Sequence, residues 1–349
     1  MTYVPSRQAP RPHLATGTPL PSSTASPLDA GLLGAWYDGH RRDLPWRSPD
    51  RTPWGVLVSE VMLQQTPVAR VVPAWTEWLQ RWPTPSDLAA TPPGEAVRAW
   101  GRLGYPRRAL RLHAASAAVR DRHDGRVPDG YEELRALPGV GDYTAAAVLA
   151  FGYGRRAVVL DTNVRRVLAR AAQGQERPGP SVTVAERRAA DALLPRDDAD
   201  AARWSVAVME LGALVCTATG PACDRCPVRT RCAWRAAGRP AYDGPVRPAQ
   251  RFAGTDRQVR GRLMAVLREH AGPVRKPLLD AVWSDPVQRE RALDALLDDR
   301  LVELTADGRY ALPGETGELG ETGRGRAPDA GYAAGDAGSD TGSSAAAAS

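Results

Sequence analysis

The stretch CTATGPACDRCPVRTRC, residues 216–232, holds every cysteine of the chain: Cys216, Cys223, Cys226 and Cys232. Their spacing is C-x6-C-x2-C-x5-C. Four thiols in one short loop can surround a compact metal centre, and soft sulfur ligands suit an iron–sulfur cluster or zinc. Zinc knuckles supply two close pairs, whereas only Cys223 and Cys226 are close here. Two disulfides are the third arrangement, and they belong to oxidising compartments. Spacing alone leaves all three open. Arg225, Arg229, Arg231 and Arg235 in and beside this loop either meet phosphates or form a solvated basic surface.

Upstream of the loop the chain reads as a series of helices. Apolar periodicity near 3.6 predicts them over 31–40, 56–65, 68–82, 96–103, 107–122, 131–137, 144–151, 164–172, 184–194 and 201–214, parted by Pro- and Gly-rich turns. No convincing strand precedes residue 300, so the first domain, 28–238, is mainly α. Residues 239–251 are proline-rich and read as a linker. Helical stretches at about 256–270, 275–283 and 286–299 precede an alternating run, 301–312, around Asp307-Gly308. Three helices and a hairpin suggest a small winged-helix-like domain over 252–312. A Pro/Ser/Thr-rich arm (1–27) and a Gly/Ala/Ser/acid tail (313–349) lack apolar period and are expected to be disordered.

The 349 residues are 43% hydrophobic and 25% charged, enough for a real core. No uninterrupted apolar run is long enough to span a membrane, and no short apolar core follows a basic start, so a cytoplasmic, non-membrane protein is expected. The formal charge is +6, and the tail carries six acids against two arginines, so the remaining body is more basic still. A basic body suits a polyanionic partner. Lys276 is the sole lysine.

Two carboxylates and one turn carry the candidate chemistry. Glu60 is the only charged group in VLVSEVMLQQT (56–66). If it faces the apolar neighbours it loses solvation, its pKa rises, and it becomes a proton donor near neutral pH; if it lies on an exposed stripe it does none of this. Asp161 follows AVVL and precedes TNVRR, where an N-cap belongs. A carboxylate there can also face a developing cation, and glycosidic cleavage commonly uses two carboxyl groups around an oxocarbenium-like sugar. Between them, Leu137-Pro138-Gly139-Val140-Gly141 turns tightly just before a helix start. Such a turn offers backbone N–H groups and a positive helix end to an anion.

The cysteine spacing, the preceding helices and this Gly turn resemble the endonuclease III superfamily of helix-hairpin-helix DNA glycosylases, over roughly residues 30–235. SEVMLQQT (59–66) and LDTNV (160–164) further resemble the catalytic motifs of its MutY family of adenine glycosylases. That family usually has Gly where Thr162 stands. The resemblance implies a fold of two helical lobes with a [4Fe–4S] cluster on the four cysteines. It implies Glu60 as general acid on a flipped adenine, Asp161 as stabiliser of the sugar cation and Asn163 as an orienting group. Arg42, Leu44 and Trp46 would line the adenine pocket, Gln64 would wedge into the base stack, and Gly139 and Gly141 would hold a DNA phosphate.

Strand-cleaving relatives carry a Schiff-base lysine just after the hairpin, at the position of Tyr143. With no lysine in the first domain, the resemblance implies a monofunctional enzyme with weak or absent lyase activity and places Tyr143 in the catalytic set. Tyr143 also occurs in mismatch thymine glycosylases of the superfamily, so a G·T or G·U glycosylase is the alternative; a non-catalytic Fe–S DNA-binding protein is another. The family's Tyr-Tyr pair after Gly-Leu-Gly is Tyr105-Pro106 here, and 252–312 lacks the MutT-like pattern that goes with 8-oxoguanine recognition. The implied partner is double-stranded DNA with an adenine mispaired with 8-oxoguanine or guanine, met by a monomer.

Overall fold

A computed structural model describes residues 26–244 and 252–315. The arm expected over 1–27, the linker over 239–251 and the tail over 313–349 lie largely outside them.

The first lobe is a stack of seven helices. α2 (Pro53–Leu63) begins three residues before the expected start, because the Thr52 side chain accepts from Gly55 N and Pro53 occupies the first helical position. It ends at Leu63, and Gln65 takes φ +56, so Gln64 and Gln65 lie beyond a helix that the apolar pattern carried through them. α3 (Val68–Arg81), α5 (Pro93–Trp100) and α6 (Arg107–Arg122) follow the expected pattern, α5 shifted three residues earlier. A short α4 (Pro85–Ala89), opened by a reciprocal Thr84–Asp87 cap, was not foreseen; five residues give no readable period. α7 (Tyr131–Arg135) and α8 (Asp142–Ala147) flank the Gly turn, and α8 passes into a π-helical turn over Val148–Gly152. Trp78, Trp82 and Trp100 fill the centre of this lobe, edge to face.

The second lobe returns the chain's beginning to its later part. α1 (Ala30–His40), capped by Asp29, packs against α11 (Asp198–Leu214), which also packs on α9 (Thr162–Ala171), with α10 (Val184–Leu193) alongside. Leu28, Leu33, Val164, Leu168, Val208 and Leu211 form its core. The two lobes meet through Ala146, Ala147, Ala150 and Val159, with Tyr143 and Met209 against them. The expected mainly α, two-lobed architecture is therefore present, and Tyr143 lies at the seam between the lobes. Among the described residues no helix is long and apolar enough to cross a membrane.

The cysteine loop follows α11 and ends in α12 (Ala233–Ala236). Then come α13 (Asp256–Glu269), α14 (Lys276–Asp280), α15 (Pro286–Asp298) and an antiparallel pair, β1 (Glu303–Leu304) with β2 (Tyr310–Ala311), in the register Glu303–Ala311 and Leu304–Tyr310. Gly308 takes φ +77 in the connecting turn. This segment sits on α5: Arg98 donates to the carbonyls of Leu267, Arg268 and His270, and Gly94 N donates to Pro313 O at 2.7 Å. Glycine is required there, since a Cβ on Gly94 would lie 2.8 Å from that oxygen.

Candidate active site

α2 is buried on nearly every face, from Trp54 to Met62, so the exposed-stripe arrangement for Glu60 does not occur. Glu60 is 5% exposed. Burial, with the nearby Asp161 charge adding to it, pushes its carboxyl up to about 7, against a smaller lowering from a hydrogen bond with Tyr143 and from Arg47. That hydrogen bond runs from the Tyr143 hydroxyl to Glu60 Oε2 at 2.7 Å. Burial and the two carboxylates hold Tyr143 well above an ordinary phenol, so it remains a donor. With Oε2 accepting from tyrosine, Oε1 is the oxygen left to carry a proton.

Asp161 is the N-cap of α9 and accepts from Val164 N at 2.6 Å and from Asn163 Nδ2 at 3.0 Å. The capping role is real, and it fixes the carboxylate at the seam. Burial raises its pKa, and these N–H donors together with Arg166 work against that rise. Arg166 donates to Asn163 Oδ1 at 2.7 Å. Arginine has no acceptor, so the Asn163 oxygen must face it and the amide NH2 is left for Asp161. The same guanidinium reaches the carbonyls of Gly212 and Cys216, each at 2.7 Å. Gly212 lets α11 come this close, since a Cβ there would lie 2.8 Å from Asn163 Cβ.

Arg42, Leu44 and Trp46 stand in different states. Leu44 and Trp46 are buried, Trp46 edge-on to Trp75. Arg42 is engaged by Glu210, through its backbone N (2.8 Å), Nε (3.0 Å) and Nη2 (2.8 Å). Glu210 is fully buried on α11 and also accepts from Arg47 Nη2 at 2.9 Å. Hydrogen bonds from the two guanidinia overcome its burial and hold its carboxyl down to about 2. Arg47 Nη1 is buried without a partner among the described residues. Sequence reasoning missed both Arg47 and Glu210. The signal was available: Glu210 is a lone acid in the apolar run 204–215, the same pattern that singled out Glu60.

The DNA-facing candidates lie on the first lobe. Gly139 takes φ +79, and a Cβ there would lie 2.7 Å from Arg111 Cβ, so both conformation and space require glycine. Gly141 caps the start of α8 with open space around it. Gln64, Arg108, Arg111 and Pro138–Val140 line one small hollow, which brings the proposed wedge beside the Gly turn. An open hollow of about 470 Å³ between Arg262, Trp283 and Arg289 contains none of the candidate residues. Lys276 is held by Asp280 at 2.9 Å and by Glu290 within the C-terminal segment.

The four cysteines are free thiols, so the disulfide arrangement is absent. Among the described residues no group of three or more His, Cys, Asp or Glu forms a metal-holding set. The thiols are nonetheless near enough to repel one another's charge: burial, and then Cys216, Cys232 and Cys223, push Cys226 up to about 11. Arg170, buried under the Trp234 ring, donates to Cys216 Sγ at 3.4 Å and to Thr217 O at 2.7 Å, tying the loop to α9.

Residues 58–190 match the model of the HhH-GPD superfamily base excision DNA repair protein. The adenine DNA glycosylase of Mycobacterium tuberculosis H37Rv is 54% identical over 288 residues, 82% of this chain and 94% of that protein. The adenine DNA glycosylase of Mycolicibacterium smegmatis is 55% identical over 294 residues, 84% and 97% of the two chains. The human adenine DNA glycosylase is 42% identical over 214 residues, but the match spans only 38% of its length. Among solved structures, a thermostable thymine-DNA glycosylase superposes with TM-score 0.53 at 26% identity, covering 60% of this chain and 95% of that one. A trapped endonuclease III–DNA covalent intermediate gives 0.51 at 24% identity, covering 60% and 94%, a likeness of fold.

Proposed function

The chain belongs to the adenine DNA glycosylase family of base excision repair, and from that premise we propose how its own residues cleave the N-glycosyl bond of a mispaired adenine. The carrying observation is the buried Tyr143–Glu60 pair, with Asp161 close enough to act on both. With a pKa of about 7, Glu60 is substantially protonated at neutral pH. It gives that proton to a ring nitrogen of an extrahelical adenine, which then leaves with the electrons of the C1′–N bond. Asp161, fixed by Val164 N and Asn163, faces the cationic sugar. Water adds at C1′ and its proton returns to the Glu60 carboxylate, leaving an abasic site. Arg47 Nη1, buried and without a partner among the described residues, is the donor available to an entering base, with Glu210 fixing the guanidinium.

The same reading gives the DNA contacts. Gly139 and Gly141 hold a phosphate at the positive start of α8, and Gln64 enters the stack vacated by the flipped base, offsetting part of the few kcal/mol that flipping costs. With Tyr143 in place of a Schiff-base lysine and Lys276 in the C-terminal segment, strand cleavage is weak or absent. The opposite base is 8-oxoguanine or guanine, and the enzyme works as a cytoplasmic monomer on double-stranded DNA. Residues 252–312 act as a winged-helix-like module.

We infer further that Cys216, Cys223, Cys226 and Cys232 hold a [4Fe–4S] cluster. The donor set fits in its chemistry: four free thiols in one short loop, with the Arg170 guanidinium donating to Cys216 Sγ at 3.4 Å. Such a centre would supply structural cross-linking of the loop, while Arg170 ties the loop to α9 and Arg166 donates to Asn163 Oδ1.

Single-turnover cleavage of duplexes with A·8-oxoG, A·G, A·C, G·T and G·U tests this reading, for wild type and Glu60→Gln. Adenine release lost in Glu60→Gln, with strand breaks only after alkali and no borohydride-trapped complex, is the expected result. Release of thymine or uracil instead would make it a mismatch pyrimidine glycosylase. DNA binding with no base released would leave a non-catalytic protein.

A further inference from the structure

Five non-glycine residues among those described take positive φ, and two of them, Gln65 (φ +56) and Tyr105 (φ +47), flank a single buried guanidinium. Residues outside glycine hold this conformation only where the surroundings over-determine it. Arg108 is 6% exposed and supplies that constraint. Its Nη1 donates to the carbonyls of Val61 (2.8 Å), Met62 (3.0 Å) and Gln64 (2.6 Å). Its Nη2 donates to Thr66 Oγ1 (3.1 Å) and to the carbonyls of Leu103 (3.4 Å) and Gly104 (3.0 Å). The Gln64 and Gly104 carbonyls belong to the peptides entering Gln65 and Tyr105. One side chain thus holds both left-handed turns by their leading peptide groups.

The guanidinium also lies 5.1 Å from the Trp100 ring centroid and 5.7 Å from that of Tyr105. Thr66 Oγ1 donates in turn to Leu103 O at 3.2 Å, closing a second link between the segments. The two turns differ in what they present. One follows the catalytic helix and carries Gln64 toward the DNA. The other presents Tyr105, 49% exposed. A large aromatic held out in solvent on a strained backbone is suited to stacking against a base.

We propose that Arg108 is a positioning residue that locks the Gln64–Gln65 and Gly104–Tyr105 turns together, so that the wedge in the adenine strand and the aromatic probe of the opposite base enter the duplex as one unit. Base flipping is then conditional on what faces the adenine. The proposal rests on the glycosylase reading above and adds to it a device for opposite-base discrimination. Lysine keeps the charge but lacks the planar fork, so it cannot reach both turns at once.

The test compares wild type, Arg108→Lys and Thr66→Val in single-turnover adenine release from A·8-oxoG, A·G and A·C duplexes across pH. Arg108→Lys is expected to slow the fastest substrate by about thirty-fold and to narrow the spread between fastest and slowest opposite bases by about ten-fold. The pH limb near 7 set by Glu60 should not move. An equal loss on all three duplexes, or a displaced pH limb, would show that Arg108 supports α2 only and would overturn the proposal. Thr66→Val removes one of the guanidinium's bonds while leaving Arg108 in place, so it covers the case of a misfolded lysine variant. It should narrow the spread by about two-fold in a protein that still folds, as far-UV circular dichroism would show, and a wild-type spread would count against the lock. Wild type releasing no adenine would sink the functional reading itself, whereas wild type releasing adenine at one rate from all three would leave no discrimination to couple and would overturn only the lock.

Discussion

Replacing Tyr143 by phenylalanine should move the pH dependence of adenine release upward. The Tyr143 hydroxyl donates to Glu60 Oε2 at 2.7 Å, and a donor to a carboxylate stabilises its charged form. Tyr143 therefore holds the Glu60 pKa down, against burial, at about 7. A hydrogen bond to a charged group contributes about 1.5–3 kcal/mol, which at about 1.4 kcal/mol per pH unit is a shift of about 1–2 units. Because Glu60 acts in its protonated form, activity is lost as pH rises through its pKa. The descending limb should thus move from about 7 in wild type to about 8–9 in Tyr143→Phe. The assay is single-turnover release from an A·8-oxoG duplex between pH 5 and 9.5, at saturating enzyme so that binding drops out. The ratio of variant to wild-type rate should climb with pH, even if the variant is slower at pH 6 through looser placement of the acid. A limb that stays in place, or moves to lower pH, would refute the reasoning, because it would mean that Tyr143 does not control the protonation of Glu60.

Glu60→Gln should stabilise the fold at pH 8 but not at pH 4. A buried acid with folded pKa near 7 against 4.5 unfolded opposes folding progressively as pH rises between those values, by about 3 kcal/mol at most, and denaturant unfolding at the two pH values would read the difference. Glu210→Gln should do the opposite. Its folded pKa lies near 2, below the unfolded 4.5, so the ionised group stabilises the fold above 4.5 and that contribution fades as pH falls toward 2; neutralising it leaves Arg42 and Arg47 without their counter-charge and should cost about 3 kcal/mol at pH 7 in urea unfolding. Gly139→Ala should weaken binding of an undamaged duplex and flatten its salt dependence, since a left-handed turn crowded by Arg111 must open the phosphate cradle to accept a methyl group; fluorescence anisotropy at several salt concentrations would show it. Purified wild type should absorb broadly in the visible, Cys223→Ser should lose that absorbance together with the order of its loop, and a colourless wild type with stoichiometric zinc would exclude the cluster.

Much of the candidate site was legible in residue types. Glu60 stood out because an acid in an apolar helix is expensive unless it does something, and α2 does bury it. Gly139 was legible because only glycine takes φ +79 against Arg111. Asp161 was legible as a cap, and capping is what aims it. The helix ends were less so: Pro53 and Thr52 started α2 early, and the left-handed Gln65 ended it early, because caps and strained turns override an apolar period.

By itself the sequence determined the helical ladder, the two lone carboxylates, the Gly turn and four cysteines within one loop, because periodicity, capping and turn chemistry are local. Which groups met was decided only in three dimensions. Tyr143 reaches Glu60 across 83 residues, Glu210 reaches Arg42 across 168, and Arg108 reaches Val61 across 47. Those contacts set whether an acid holds its proton near neutrality, as Glu60 does, or far below it, as Glu210 does. Both are acids in apolar helices. Burial raises both, and the difference lies in what packing brings to each: one tyrosine hydroxyl for Glu60 and two guanidinia for Glu210.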